Sequence, residues 1–196
     1  MQTFHNLISD EGHQDAIESH HRYQKIQFKD VIWDLSHLNP FAIHFDPGVG
    51  FDLMIVVLFS CHCFSRALST QEDRVAILPR EILYDDGREL RILDESRYQL
   101  SRVFLPGILH QLIDRKIQVL PTGNFLTFET YSATQDQEKY AVFFDVKKDS
   151  YKRKRILLRV QSAYTLKKLN SRQMRAKKVR FSTLIKSVFE CRPIRA

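Results

Sequence analysis

The sequence predicts an α+β protein: an antiparallel or mixed β-sheet with a central interrupted helix packed on one face and a basic C-terminal helix or arm. Three observations lead there. Short apolar or alternating runs bounded by turn residues recur along most of the chain, the pattern of strands. One stretch, 94–115, shifts to helical spacing. The last fifty residues carry almost no acids.

The 196 residues, 43% hydrophobic with 14 Phe and 7 Tyr, are enough to bury a sizeable core and too apolar for global disorder. Residues 1–21 are polar and aperiodic, a short helix or loose arm. "YQKIQFKDVIWDL", 23–35, alternates around Ile26, Phe28, Val31 and Trp33 as strand material. "NPFAIHFDPGVGFD", 39–52, is a short strand closed by Pro47-Gly48. Residues 52–64 then form the most apolar strand. Its run "LMIVVLF" at 53–59 is far shorter than the roughly 20 residues a membrane helix needs, so no membrane partner is expected.

"ILYDDGRELRIL", 82–93, reads as a hairpin across Asp85-Asp86-Gly87. In 94–115, Asp94 and Ser96 are caps for a helix whose apolar positions are Leu100, Val103, Phe104, Ile108, Leu109, Leu112 and Ile113. Pro106-Gly107 predicts a kink or two successive helices, since proline removes a donor and clashes with the preceding turn. Strands follow at 116–120, 124–132, 139–148 and 154–166, with a turn at Pro121-Thr122-Gly123. This divides the chain into an arm (1–21), one α+β domain (22–166) and a basic helix or arm (167–196).

The net charge of +7 is unevenly distributed. Residues 147–196 hold 17 Lys or Arg against Asp149 and Glu190, a balance of +15, which leaves −8 for 1–146. A polyanion rewards many cations at once through counterion release. RNA, another nucleic acid or a ribonucleoprotein complex is therefore the expected partner, met by Lys152, Arg153, Lys154, Arg155, Arg159, Gln161, Lys167, Lys168, Arg172, Arg175, Lys177, Lys178 and Arg180. A protein partner through the N-terminal arm is a further expectation. Three cysteines are too few for a disulfide scaffold, and the first residues lack the basic start and apolar centre of a signal peptide, which predicts a cytoplasmic protein.

"FSCHCFSR", 59–66, raises the question of metal or nucleophile chemistry. On a strand, Cys61 and Cys63 face one side and His62 the other, so the three cannot share an ion, and no metal or cofactor is expected. His44 and Asp46 are the nearest candidates to complete a zinc set. A nucleophilic cysteine needs a stabilised thiolate, for which Arg66 is the nearest cation. The acids Asp85 and Asp86 read first as Asx-turn residues.

"RKRILLRVQSAY", 153–164, places Arg155, Leu157, Arg159, Gln161 and Ala163 on one parity and Ile156, Leu158, Val160, Ser162 and Tyr164 on the other. Guanidinium forks on the first face suit phosphates, and Gln161 suits a base edge.

The order of elements over about 95–166 resembles the small RelE-like ribonuclease toxins. That resemblance implies that Arg155 and Arg159 stabilise phosphate charge while Tyr164 or His62 handles a proton. The first 95 residues have no place in those toxins, and Tyr164 falls on the core parity. The stretches His62-Cys63-Phe64, Asp85-Asp86-Gly87-Arg88-Glu89 and Val160-Gln161-Ser162-Ala163-Tyr164 are also similar to uncharacterised bacterial proteins over 40–166. Three functions stay open: a nucleic-acid binder, a toxin-like ribonuclease, and a structural subunit packing on nucleic acid or an acidic partner. Binding leads because the cationic excess is plain and a catalytic set is not.

Overall fold

The computed structural model describes residues 22–68, 78–120, 125–132 and 137–194. The expected arm at 1–21 and the turn at Pro121-Thr122-Gly123 lie outside them. Among the described residues, twelve strands fall into three sheets. β1 (Ile26–Phe28) and β2 (Val31–Trp33) make a hairpin. β3 (Phe41–Phe45), β4 (Leu53–Phe59), β8 (Lys116–Val119), β9 (Phe125–Ser132), β10 (Gln137–Lys148), β11 (Arg155–Leu166) and β12 (Lys177–Arg180) form a seven-stranded sheet in the order β12-β8-β9-β10-β11-β4-β3. β5 (Ser65–Ala67), β6 (Leu83–Asp85) and β7 (Leu90–Leu93) form a third sheet in the order β5-β7-β6. The helices are α1 (Glu95–His110), α2 (Ser171–Met174) and α3 (Phe181–Phe189). The fold is α+β, as the alternation and the single helical stretch predict.

The large sheet is mixed. β8 to β11 run as the predicted antiparallel meander. β4 then joins β11 in parallel, Met54 opposite Arg155 and Phe59 opposite Val160. One apolar core joins α1, through Leu105, Ile108 and Leu109, to Ile156, Leu158, Val160 and Ala163 of β11 and to Phe181, Leu184 and Ile185 of α3.

Several local expectations shift. The alternation at 26–33 belongs to two strands turned at Lys29, whose φ of 50° lies in the left-handed region, and Val31 and Ile32 are exposed while Phe28 and Trp33 are buried. Helix α1 passes through Pro106 unbroken and gives way to a 3-10 turn at Leu112–Asp114 instead. Apolar residues on both sides of the proline stay docked, so packing overrides the local cost. The core-facing set includes Leu105 and Tyr98, whereas Val103 is exposed. Asp94 is the cap, accepting from the Arg97 amide.

The basic C-terminal segment is built into the sheet. Asn170 and Gln173 close a reciprocal capping box on α2, β12 pairs with β8, and α3 buries Phe181, Leu184 and Ile185. Of the two forms expected, helix or arm, the segment takes the helical one, with an edge strand before it.

Candidate functional site: a cationic cleft at the end of β4

The strand predicted over 52–64 stops at Phe59. Ser60 is the reason: its Oγ accepts from the His62 amide and its carbonyl from the Cys63 amide, winding Cys61–Cys63 into a 3-10 turn. The same hydroxyl donates to the Gln161 carbonyl, 2.9 Å away on β11. That carbonyl sits at a bulge: Phe143 opposes Ser162 and Phe144 opposes Val160, leaving Gln161 as the extra residue.

The bulge reverses the parity of β11 beyond it. Ala163, expected beside Arg159, is buried in the core, and Tyr164, expected in the core, falls on the Arg159 side. There it stacks on Phe143 with ring centroids 5.3 Å apart and lies under the Arg97 guanidinium.

The turn at 61–63 is held from two directions. Arg97, in the first turn of α1, donates to the carbonyls of His62 and Ser65 at 3.1 and 2.9 Å. Opposite it stands the β6–β7 turn, where Gly87 has a φ of 81°. Asp85 accepts from the Gly87 amide and Asp86 Oδ1 from the amides of Arg88 and Glu89, the Asx-turn chemistry expected of the pair. Asp86 Oδ2 is left to take the Cys61 thiol at 3.3 Å.

These pieces border a cleft of about 620 Å³ whose lining includes Arg22, Arg88, Arg159, Gln161, Tyr84 and His62. Sequence reasoning named His62, Arg159 and Gln161 for function. Arg22, Tyr84 and Arg88 join them only through their approach in space, and Cys61 and Asp86, weighed in the sequence as cysteine chemistry and as a turn, line the same cleft.

Arg155 and Tyr164 do not join this cleft. Arg155 stands four residues back along β11 and pairs with the buried Asp149 carboxylate. Lys154 lies over the Phe51 ring. Lys152, Arg153, Lys167, Lys168, Arg172, Arg175, Lys177, Lys178 and Arg180 are exposed and form no ion pair among the described residues.

Electrostatics separates the roles these groups can play. Burial, helped by the bond and charge of Asp86, pushes the Cys61 thiol up to about 11, and burial pushes Cys63 up to about 12. Both remain thiols at neutral pH, against nucleophilic catalysis. The cation that partly offsets this at Cys61 is Arg91 rather than Arg66. Burial, then the Arg91 charge, holds His62 below its usual value, so its ring is neutral at pH 7 and has a lone pair to offer. The Glu89 and Arg88 amides hold the Asp86 carboxyl below the usual range.

Leaving β geometry also removes the obstacle to a shared ligand. One ring nitrogen of His62, the Cys61 sulfur and an Asp86 oxygen all lie within 4.8 Å of one another. His44 and Asp46 play no part: His44 pairs with Met54, six residues or roughly 20 Å along β4 from Ser60, and Asp46 accepts from the amides of Gly48, Val49 and Gly50.

The fold and cleft define an α+β protein built on a mixed sheet, with a cation-lined cleft where its parallel strand pair ends. The YjaZ family matches residues 25–189, and the chain belongs to that family. The match extends past the 40–166 region of sequence resemblance to take in β12 and α3, and gives the RelE-like resemblance no support. No curated protein and no solved structure matches. No helix among the described residues is long and apolar enough to cross a membrane.

Proposed function

We propose that the protein binds nucleic acid, RNA first, seating a phosphate in the cleft while the exposed cations of 152–153 and 167–180 hold the flanking backbone. The observation that carries this reading is Arg159. It is exposed, forms no ion pair among the described residues, and lines the cleft with Arg22, Arg88 and Gln161. Arg155, by contrast, is already held by Asp149. Three guanidinium groups around one concavity suit a phosphate oxyanion, and cations outside it add affinity without sequence preference.

Titrating labelled single-stranded RNA and DNA from low to physiological salt tests the reading. The expected result is tight binding at low salt that weakens steeply with salt and depends little on sequence; no binding by folded protein at low salt sinks it. Of the residues assigned to cleavage, His62 and Arg159 share the cleft, so product analysis in the same titration decides whether binding is accompanied by cutting.

A further inference from the structure

We infer that Cys61, His62 and Asp86 form a divalent transition-metal site, zinc first, whose fourth position opens into the cleft. The inference goes beyond nucleic-acid binding and does not depend on it. A sulfur, an imidazole nitrogen and a carboxylate oxygen, all within 4.8 Å of one another, make a mixed donor set of the kind zinc takes.

The spacing fits before any ion is placed. Tetrahedral zinc with bonds of about 2.3 Å to sulfur and about 2.0 Å to oxygen sets those two atoms about 3.5 Å apart. Cys61 Sγ and Asp86 Oδ2 are 3.3 Å apart.

The supports resemble those of a working metal site. Asp86 is aimed by two backbone amides on its other oxygen, so its free oxygen points at the thiol. Glu89 Oε1, paired with Arg91, lies 3.7 Å from His62 Nε2, where a small shift would make it the carboxylate partner of a ligating imidazole. Arg97 and Ser60 fix the backbone of the ligand turn. Three protein ligands beside an open cleft match zinc sites that keep a position for water or a ligand oxygen. Arg88, Arg159 and Arg22 around that cleft favour an oxyanion there.

Binding is a proton exchange. The metal–sulfur bond forms, the Cys61 S–H bond breaks, and the proton leaves to solvent through the cleft; the carboxylate and imidazole bind through existing lone pairs, and no electron is transferred.

Zinc content of the full chain purified without chelator, followed by cobalt titration of chelator-treated protein, tests the site in the absence of any nucleic acid. Wild type is expected to carry about one zinc per chain and to give, with cobalt, a thiolate charge-transfer band and intense tetrahedral visible bands. Cys61→Ala and Asp86→Ala should each weaken cobalt affinity more than about 100-fold, the upper end of what an outer-shell change costs. Glu89→Gln should weaken it about tenfold, and Cys191→Ser, at an exposed cysteine outside the cleft, should leave it unchanged. Wild type that takes up no stoichiometric metal, or binds cobalt without a thiolate band, overturns the site whether or not the variants fold. Failure of nucleic-acid binding with this spectrum intact would overturn only the proposed function.

Discussion

Asp149 and Arg155 close the β10–β11 turn on each other: the Arg155 Nε donates to Asp149 Oδ2, while the other Asp149 oxygen accepts from the Tyr151 amide at 2.8 Å. The Asp149 side chain is only 3% exposed. Burial alone would raise its carboxyl pKa, but the Tyr151 amide and Arg155 outweigh it and hold the value below the ordinary 3.8. The pair therefore acts as a structural clasp.

Arg155→Ala strands a buried carboxylate and is expected to cost about 3–5 kcal/mol, the range for breaking a buried pair from one side. Urea unfolding at pH 7 measures it. Because the folded Asp149 value is depressed, the stabilisation is complete above pH 3.8 and is lost as pH falls below that through the folded value. The gap between wild type and Arg155→Ala should thus be constant near neutrality and shrink only at strongly acid pH.

Arg159→Ala should do the opposite. Its side chain is exposed and holds no ion pair among the described residues, so unfolding free energy changes by less than about 0.5 kcal/mol. Loss of one phosphate contact lowers the slope of log K against log salt by about 0.7 on a single strand. Leu158→Ala, one residue earlier and fully buried, should cost about 2–5 kcal/mol and leave that slope alone once folded protein is compared. An unchanged slope for Arg159→Ala would make its face an ordinary solvated one.

Phe181 tests whether the basic C-terminal segment belongs to the core. It is fully buried at the start of α3 and stacks on Phe45 with centroids 5.8 Å apart. Phe181→Ala should cost about 3–5 kcal/mol. A change below about 1 kcal/mol by denaturant titration would place this segment outside the core.

His37 supplies a pH dependence away from the cleft. Burial, then the Arg102 charge, lowers its pKa from 6.5 to about 4, and its Nε2 meets the Ser101 hydroxyl at 2.8 Å. Between these values the unfolded chain binds the proton and the folded one resists it, so stability falls as pH drops from 6.5 to 4. With allowance for the ring's partial exposure, the loss is about 1–2 kcal/mol. His37→Gln should flatten that part of the stability profile, and an unaltered slope between pH 4 and 6.5 would assign it to other groups.

The meander from β8 to β11 was legible because each strand alternates or runs apolar and each connection carries turn residues. The end of β4 was not. Phe59, Cys61, Cys63 and Phe64 continue the apolar run, and only the Ser60 hydroxyl, whose partners lie at His62 and on β11, breaks the strand. The bulge at Gln161 was equally hidden, since nothing local distinguishes "RVQSAY" with an extra residue from the same letters in register; it exchanged the sides of Ala163 and Tyr164. β12 read as tail charge because three of its four residues are cations and only Val179 is buried. Part of the site came from single residues, His62, Arg159 and Gln161. The rest came from the Asp86 turn crossing to Cys61, a meeting that sequence spacing does not encode.

The parallel union of β4 with β11 sets the order in which the molecule can come into being. Met54 waits for Arg155, 101 positions later, and until that strand emerges the most apolar segment of the chain has only β3 beside it. β11 also has to arrive before Ser60 finds the Gln161 carbonyl, so the cleft cannot form on a nascent chain that stops at the β10–β11 turn. Contacts of such separation are slow to close and leave unpaired edges open to other chains. Maturation of the protein is therefore a late event in its synthesis, and the segment most in need of protection during translation is the one that ends at the cleft.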